Sequence, residues 1–147
     1  MPLISKFSLD DVYKQIKGEF RSIRANSLRL RTAAAAGPVS FSVVRDYLSS
    51  LTGSLAVMSD RVTRFGAGTL AAYAQAQEAV PAYDVATEYN AMVTAANAVV
   101  THISAAIPTN SAHTVTNGQV VEPTFSTAQT ATLRALLDTL VGTIGAP

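Results

Sequence analysis

The chain has 147 residues, of which 48% are apolar and 14% charged, with a net charge of +1 and no cysteine. That length suits one domain with a real core, and the missing cysteines exclude a disulfide framework and thiolate chemistry. Charge well below the usual quarter of residues calls either for helices that bury most of their faces together or for a surface committed to an oligomer.

The charge that is present is unevenly placed. Residues 1–31 carry seven Lys/Arg against three Asp/Glu, and residues 32–147 carry four against seven. That polarity suits head-to-tail contact or an acidic partner. The opening MPLISKFSLDD has no hydrophobic signal core, and no run approaches roughly 18 apolar residues. Neither signal-directed secretion nor a membrane span is expected.

The first helix is expected from Leu9 to about Ala36, with Ser8 as cap, Asp11 three residues on, and Phe7 reaching Val12 as a hydrophobic staple. Leu9, Val12, Ile16, Phe20, Ile23 and Leu30 share one arc of it. Gly37 and Pro38 end it. The second helix, Ser40 to Phe65, has Val44, Leu48, Leu51, Leu55, Met58, Val62 and Phe65 stepping by four and three without a break, the seam of a helix packed against others. A short alanine-rich helix is expected over Thr69–Ala79. The longest stripe belongs to residues 82–107, where Val85, Tyr89, Met92, Ala96, Val99, Ile103 and Ile107 alternate spacings of four and three. At 1.5 Å per residue this helix is roughly 39 Å long, ending at Pro108. The other segments supply partners for that stripe.

Residues 109–124 change character. Asn117–Gly118 sits between two short β-prone runs, Thr114–Thr116 and Gln119–Val121, and Asn-Gly is the strongest short-range hairpin signal. The last helix follows, with Ser126 and Gln129 in capping-box register and Leu133, Leu137, Leu140 and Ile144 as its seam. The expected fold is all-α: a single-domain antiparallel four-helix bundle with one short extra helix and a small β-hairpin flap, about residues 111–123, before the last helix.

Catalytic, cofactor and metal readings fail by inventory. The two histidines, His102 and His113, lack the neighbours that bundle metal sites use. Glu78, Asp84 and Glu88 cluster near the start of the long helix, where a solvated helix end is the ordinary reading of paired carboxylates. No GxSxG, HExxH, P-loop or GxGxxG motif occurs. One feature stands out. Lys14, Lys17, Arg21, Arg24 and Arg31 fall at spacings of three, four, three and seven, a basic stripe beside the apolar arc of helix one. It suits phosphates or an acidic protein surface, and Arg61 and Arg64 are candidates to extend it. Its bland alternative is a solvated face paired partly with Asp10, Asp11 and Glu19. No aromatic residue interleaves the stripe, which argues against single-strand stacking.

Three stretches, LAAYAQAQ at 70–77, PAYDVATEYNAMVTAANAVVTHI at 81–103 and TFSTAQTATLRALLDTL at 124–140, resemble a family of small all-helical proteins encoded among the structural genes of tailed bacteriophages. The resemblance covers about two thirds of the chain and carries over no catalytic residues. It implies a non-enzymatic virion component, made in the bacterial cytoplasm and built into the particle. By analogy of fold the best match is a head-to-tail adaptor, a homo-oligomeric ring between portal and tail with DNA nearby and no membrane. A capsid decoration or tail-associated protein, or a bundle binding DNA or protein through the basic face, are the alternatives. On this reading Leu70, Tyr73 and Tyr83 are expected to meet a neighbouring copy, and the flap, through Asn117, Gly118 and Val120, to meet another surface.

Overall fold

The computed structural model describes residues 6–65, 87–110 and 114–144. Four α-helices hold most of them: α1 (Lys6–Ala36), α2 (Phe41–Phe65), α3 (Thr87–Asn110) and α4 (Thr127–Thr143). The expected short helix over 69–79, the first residues of the long helix, and the interface candidates Leu70, Tyr73 and Tyr83 lie outside the described residues.

Helix α1 packs along both α2 and α4, while α3 packs along α4 and, less extensively, α2. The polar links step in opposite senses along neighbouring helices. Gln15 meets Arg61 and Ser27 meets Tyr47, so α1 and α2 run antiparallel. Val39, just past α1, meets Thr130, and Arg31 meets Asp138, so α4 also runs antiparallel to α1.

The core follows the apolar periodicity. Val12, Ile16, Phe20, Ile23 and Leu30 of α1 are buried, with Met92, Ala96, Val99 and Ile103 of α3 and Leu133, Leu137, Leu140 and Ile144 from α4. On α2 the buried line is Val44, Tyr47, Leu51 and Met58, whereas Leu48, Leu55 and Val62 are half-buried against it. The buried face is therefore turned toward Tyr47 relative to the expected seam. Ser27 explains this. It is fully buried within α1's apolar arc, and its hydroxyl shares a 2.8 Å hydrogen bond with the Tyr47 hydroxyl, which satisfies two polar groups that would otherwise be costly to bury.

Three boundaries differ from expectation. Helix α1 begins by Lys6, so Ser8 lies within the helix rather than capping it; nothing between Lys6 and Leu9 breaks a helix. Helix α2 begins one residue later, at Phe41. Helix α3 continues through Pro108 to Asn110. A proline in a final turn removes one backbone hydrogen bond, from the carbonyl of Ser104 four residues back; Ser104 is exposed, so water can take its place.

Residues Tyr89–Ile107 of α3 form one helix long and apolar enough to cross a membrane, with a mean hydropathy of 1.2. Alanine and the absence of charge raise that value, although polar residues interrupt every apolar run. Its stripe of Met92, Ala96, Val99 and Ile103 is occupied by packing against the other helices.

Between α3 and α4, β1 (Thr114–Thr116) and β2 (Gln119–Val121) pair antiparallel, with Val115 opposite Val120. The turn residues Asn117 and Gly118 both have positive φ, 52° and 76°, as a two-residue hairpin turn of matching twist requires.

Candidate functional site: two opposite ends

At one end, the α1–α2 turn is stitched to the segment that leads from β2 into α4. Ser40 and Thr124 form an antiparallel bridge. The Phe41 amide donates to the Pro123 carbonyl at 2.9 Å and the Phe125 amide to the Val39 carbonyl at 2.8 Å. The Val39 amide donates to Thr130 Oγ1 at 3.4 Å. The Ser42 amide, in the first turn of α2, donates to Glu122 Oε1 at 2.8 Å. A carboxylate there satisfies one of the orphan donors of a helix start and lies at the positive end of its dipole. Phe125 is fully buried under this seam. Ser126 completes the corner by capping α4: its Oγ accepts from the Gln129 amide at 3.1 Å, and Gln129 Oε1 accepts from the Ser126 amide at 3.0 Å. His102 of α3 reaches the same turn, its Nε2 standing 2.9 Å from the Gln129 carbonyl. With a carbonyl as acceptor, Nε2 carries the proton, so the ring is a structural tie between α3 and α4.

The hairpin rises from this end. Val115 is 71% exposed and Val121 44%, and Asn117 and Gly118 are also exposed. The side chain of Val120 is outside the described residues, but its backbone pairs with Val115. The outer edges of β1 and β2 join no other strand among the described residues.

The opposite end belongs to the first half of α1. Lys14 and Arg21 are exposed, and Lys17 and Arg24 half-buried. Lys14 and Lys17 are each engaged by a neighbour. Arg21 makes no ion pair among the described residues, and Arg24 Nε is buried with no hydrogen-bond partner. Arg31, expected to continue this stripe, instead pairs with Asp138 of α4. The geometry explains the difference. Thr130 meets Val39 and Asp138 meets Arg31, so at the same step Ile144 stands near the level of Ala25. Helix α4 covers the flank of α1 as far as that level, and the stripe from Lys14 to Arg24 begins where α4 ends. Arg61 does not extend it. Its Nε donates to Gln15 Oε1 at 2.7 Å and its Nη1 pairs with Asp60 at 2.6 Å, on the flank of α1 that faces α2. Arg29 lines a groove of about 270 Å³ between α1 and α2, with Asp46 and Tyr47. The Arg64 side chain lies outside the described residues.

A second open groove, of about 410 Å³, runs between the end of α1 and the start of α4. Ala34, Ala35, Ala131 and Ala135 line it together with Thr130, Arg134 and Asp138. Of the two threonine hydroxyls in its lining, Thr127 and Thr130, the Thr130 oxygen accepts from the Val39 amide. Among the described residues no three His, Asp or Glu side chains gather as a metal site. Asp84 lies outside the described residues, as does the side chain of Glu88. The residues that sequence reasoning missed are Ser27, Tyr47, Glu122 and Phe125. Ser27 and Tyr47 carried a signal: Ser27 falls on the seven-residue arc Val12 to Ala34, and Tyr47 stands three residues after Val44 and four before Leu51.

Compared with protein-family models, curated proteins and solved structures, the chain matches none.

Proposed function

We propose that this chain is a non-enzymatic structural subunit of a tailed-phage particle. It is an antiparallel four-helix bundle with a β-hairpin flap, working in a head-to-tail adaptor ring between portal and tail. The observation that carries the reading is that the two ends offer unlike contact surfaces: cations along α1 at one, and a hairpin with exposed valines and open strand edges at the other. From Arg21 to Ala36 along α1 is roughly 22 Å, at 1.5 Å per residue. A subunit joining two different components needs two such surfaces held apart. Strand edges invite pairing with another chain, and a closed ring multiplies modest contacts because each copy is held on two sides.

The test is mass spectrometry of purified particles combined with localisation by electron microscopy. A defined copy number at one vertex, as a ring, is the expected result. Copies spread over the capsid or along the tail would replace the adaptor with a decoration or tail protein. Absence from particles would overturn the virion reading.

A further inference from the structure

The outward surface of α1 between Lys14 and Arg24 differs chemically from the other surfaces. The large apolar side chains exposed among the described residues are all valines, Val43 and Val57 on α2 and Val115 and Val121 on the hairpin; α1 has none among its described side chains, from Asp11 on and apart from Tyr13. Interfaces between proteins draw on an apolar or aromatic centre, whereas interfaces with nucleic acid are polar and strongly positive. Small residues flank the stripe. Gly18 has open space where a Cβ would stand, and Ala25 is exposed, so a groove wall can approach the helix backbone closely.

We propose that this face is a binding site for the phosphate backbone of nucleic acid, contacted by Arg21 and Arg24 with Lys14 and Lys17 flanking them. Lys14 and Arg24 are ten residues apart, roughly 15 Å along the axis. Over that length duplex DNA carries about nine phosphate charges, at one per 1.7 Å. Arg21 is exposed with no carboxylate partner among the described residues, so its guanidinium is open to a phosphate oxygen as a charge-assisted bond; Arg24 stands half-buried beside it, its Nε covered by the protein. Arg31 is excluded from the site by Asp138. The contacts proposed are to phosphates, which every sequence presents alike, so binding is independent of sequence. The proposal deepens the virion reading by naming what meets the basic end, and it is tested on the isolated chain, apart from particles.

The experiment titrates the purified full-length chain with two short DNA duplexes of unrelated sequence at several salt concentrations, following fluorescence anisotropy. Equal affinity for both duplexes is expected, falling as salt rises by about 0.9 log unit per log unit of salt for each phosphate contacted. The double variant Arg21→Gln/Arg24→Gln should lose about 1.8 from that slope, two contacts' share. Arg21→Lys/Arg24→Lys should keep it, because the charges remain. Arg134→Gln, on the other groove, should bind as the wild type does. Circular dichroism of each variant checks that the helices are intact; if the glutamine variant misfolds, Arg21→Gln alone, at an exposed position, serves with a loss of about 0.9. A folded wild-type chain that fails to bind duplex at low salt overturns the proposal, as does a folded glutamine variant with an unchanged slope. Failure to bind DNA together with lost incorporation of the glutamine variant into particles would assign the face to an acidic protein and leave the virion reading intact.

Discussion

The two ends of the helical body are secured by different forces. At the corner end, chain segments some 80 residues apart in sequence are joined by directional bonds: the Ser40–Thr124 bridge, the Phe41–Pro123 and Phe125–Val39 backbone bonds, and the Glu122 carboxylate on the first turn of α2. At the basic end α1 extends past α4, and what secures it is burial of Val12, Ile16 and Phe20 with the Arg61–Gln15 bond at the surface. Directional bonds fix a position, and burial fixes a face. The corner end therefore fixes the segment 122–125 from which the hairpin leaves, while the basic end is fixed only by which face of α1 is buried.

The largest test of that contrast compares two fully buried phenylalanines, Phe20 toward the basic end and Phe125 under the corner. Each changed to alanine should cost about 3–5 kcal/mol, as cavities left by aromatic side chains do, read from urea midpoints. Phe125→Ala should also loosen the stitched backbone, so hydrogen exchange at the Phe41 and Phe125 amides should accelerate beyond what the global destabilisation explains. Exchange there that only tracks global stability would mean the corner has no rigidity of its own.

How far the sequence carried follows the same division. Burial repeats with the helical period, so the four helices and most of their core, from Ile16 to Leu140, are legible from spacing alone. The Ser126–Gln129 cap is legible because both partners lie within four residues. Long-range polar links leave no periodic trace. Nothing local marks Glu122 as the partner of Ser42, Tyr47 as that of Ser27, or Asp138 as that of Arg31. Each was a helix-surface or loop residue until the helices were set side by side. The basic stripe was legible as a run of charges, but its end at Arg24 was not, because α4 and not α1 decides it.

Tyr47 gives the next largest effect and separates the middle of the body from both ends. Burial pushes its hydroxyl up to about 12 from 10.0, opposed in part by the Ser27 hydrogen bond. The folded state holds this proton more tightly than the unfolded state does. The stability it contributes is therefore complete below pH 10 and is lost as pH rises toward about 12, an effect of about 2–3 kcal/mol. Tyr47→Phe should flatten that alkaline loss relative to wild type. At neutral pH it should cost about 1–3 kcal/mol by leaving the buried Ser27 hydroxyl without its partner. Equal alkaline loss in both proteins would show that Tyr47 stays protonated through other contacts or titrates at its ordinary value.

Glu122 tests whether the hairpin and the bundle are separable. Glu122→Ala removes the acceptor on the Ser42 amide and should cost about 0.5–2 kcal/mol, in the range of lost helix caps, with Glu122→Gln losing less because an oxygen acceptor remains. Replacing residues 113–120 by a short Gly-Ser link while keeping Glu122 should leave the melting temperature within a few degrees, since Val115 and the turn are exposed. A large stability loss on that replacement would make the hairpin part of the core and remove it as a contact surface.

The smallest effect in stability is the sharpest for the boundary between the two ends. Arg31 and Asp138 are 43% and 45% exposed, and a pair so open to solvent contributes about 0.2–1 kcal/mol. A double-mutant cycle with Arg31→Ala and Asp138→Ala should return a coupling in that range, shrinking as salt is raised. The pair matters more for charge than for stability, because Asp138 withdraws Arg31 from the stripe. Asp138→Asn should release Arg31, lengthen the row of available cations by one turn or two, and steepen the salt dependence of duplex binding by up to about 0.9. Arg31→Gln in the wild-type background should leave that dependence unchanged. If Arg31→Gln instead flattens it, Arg31 leaves Asp138 to meet the phosphates, and the basic site reaches along α1 into the part that α4 covers.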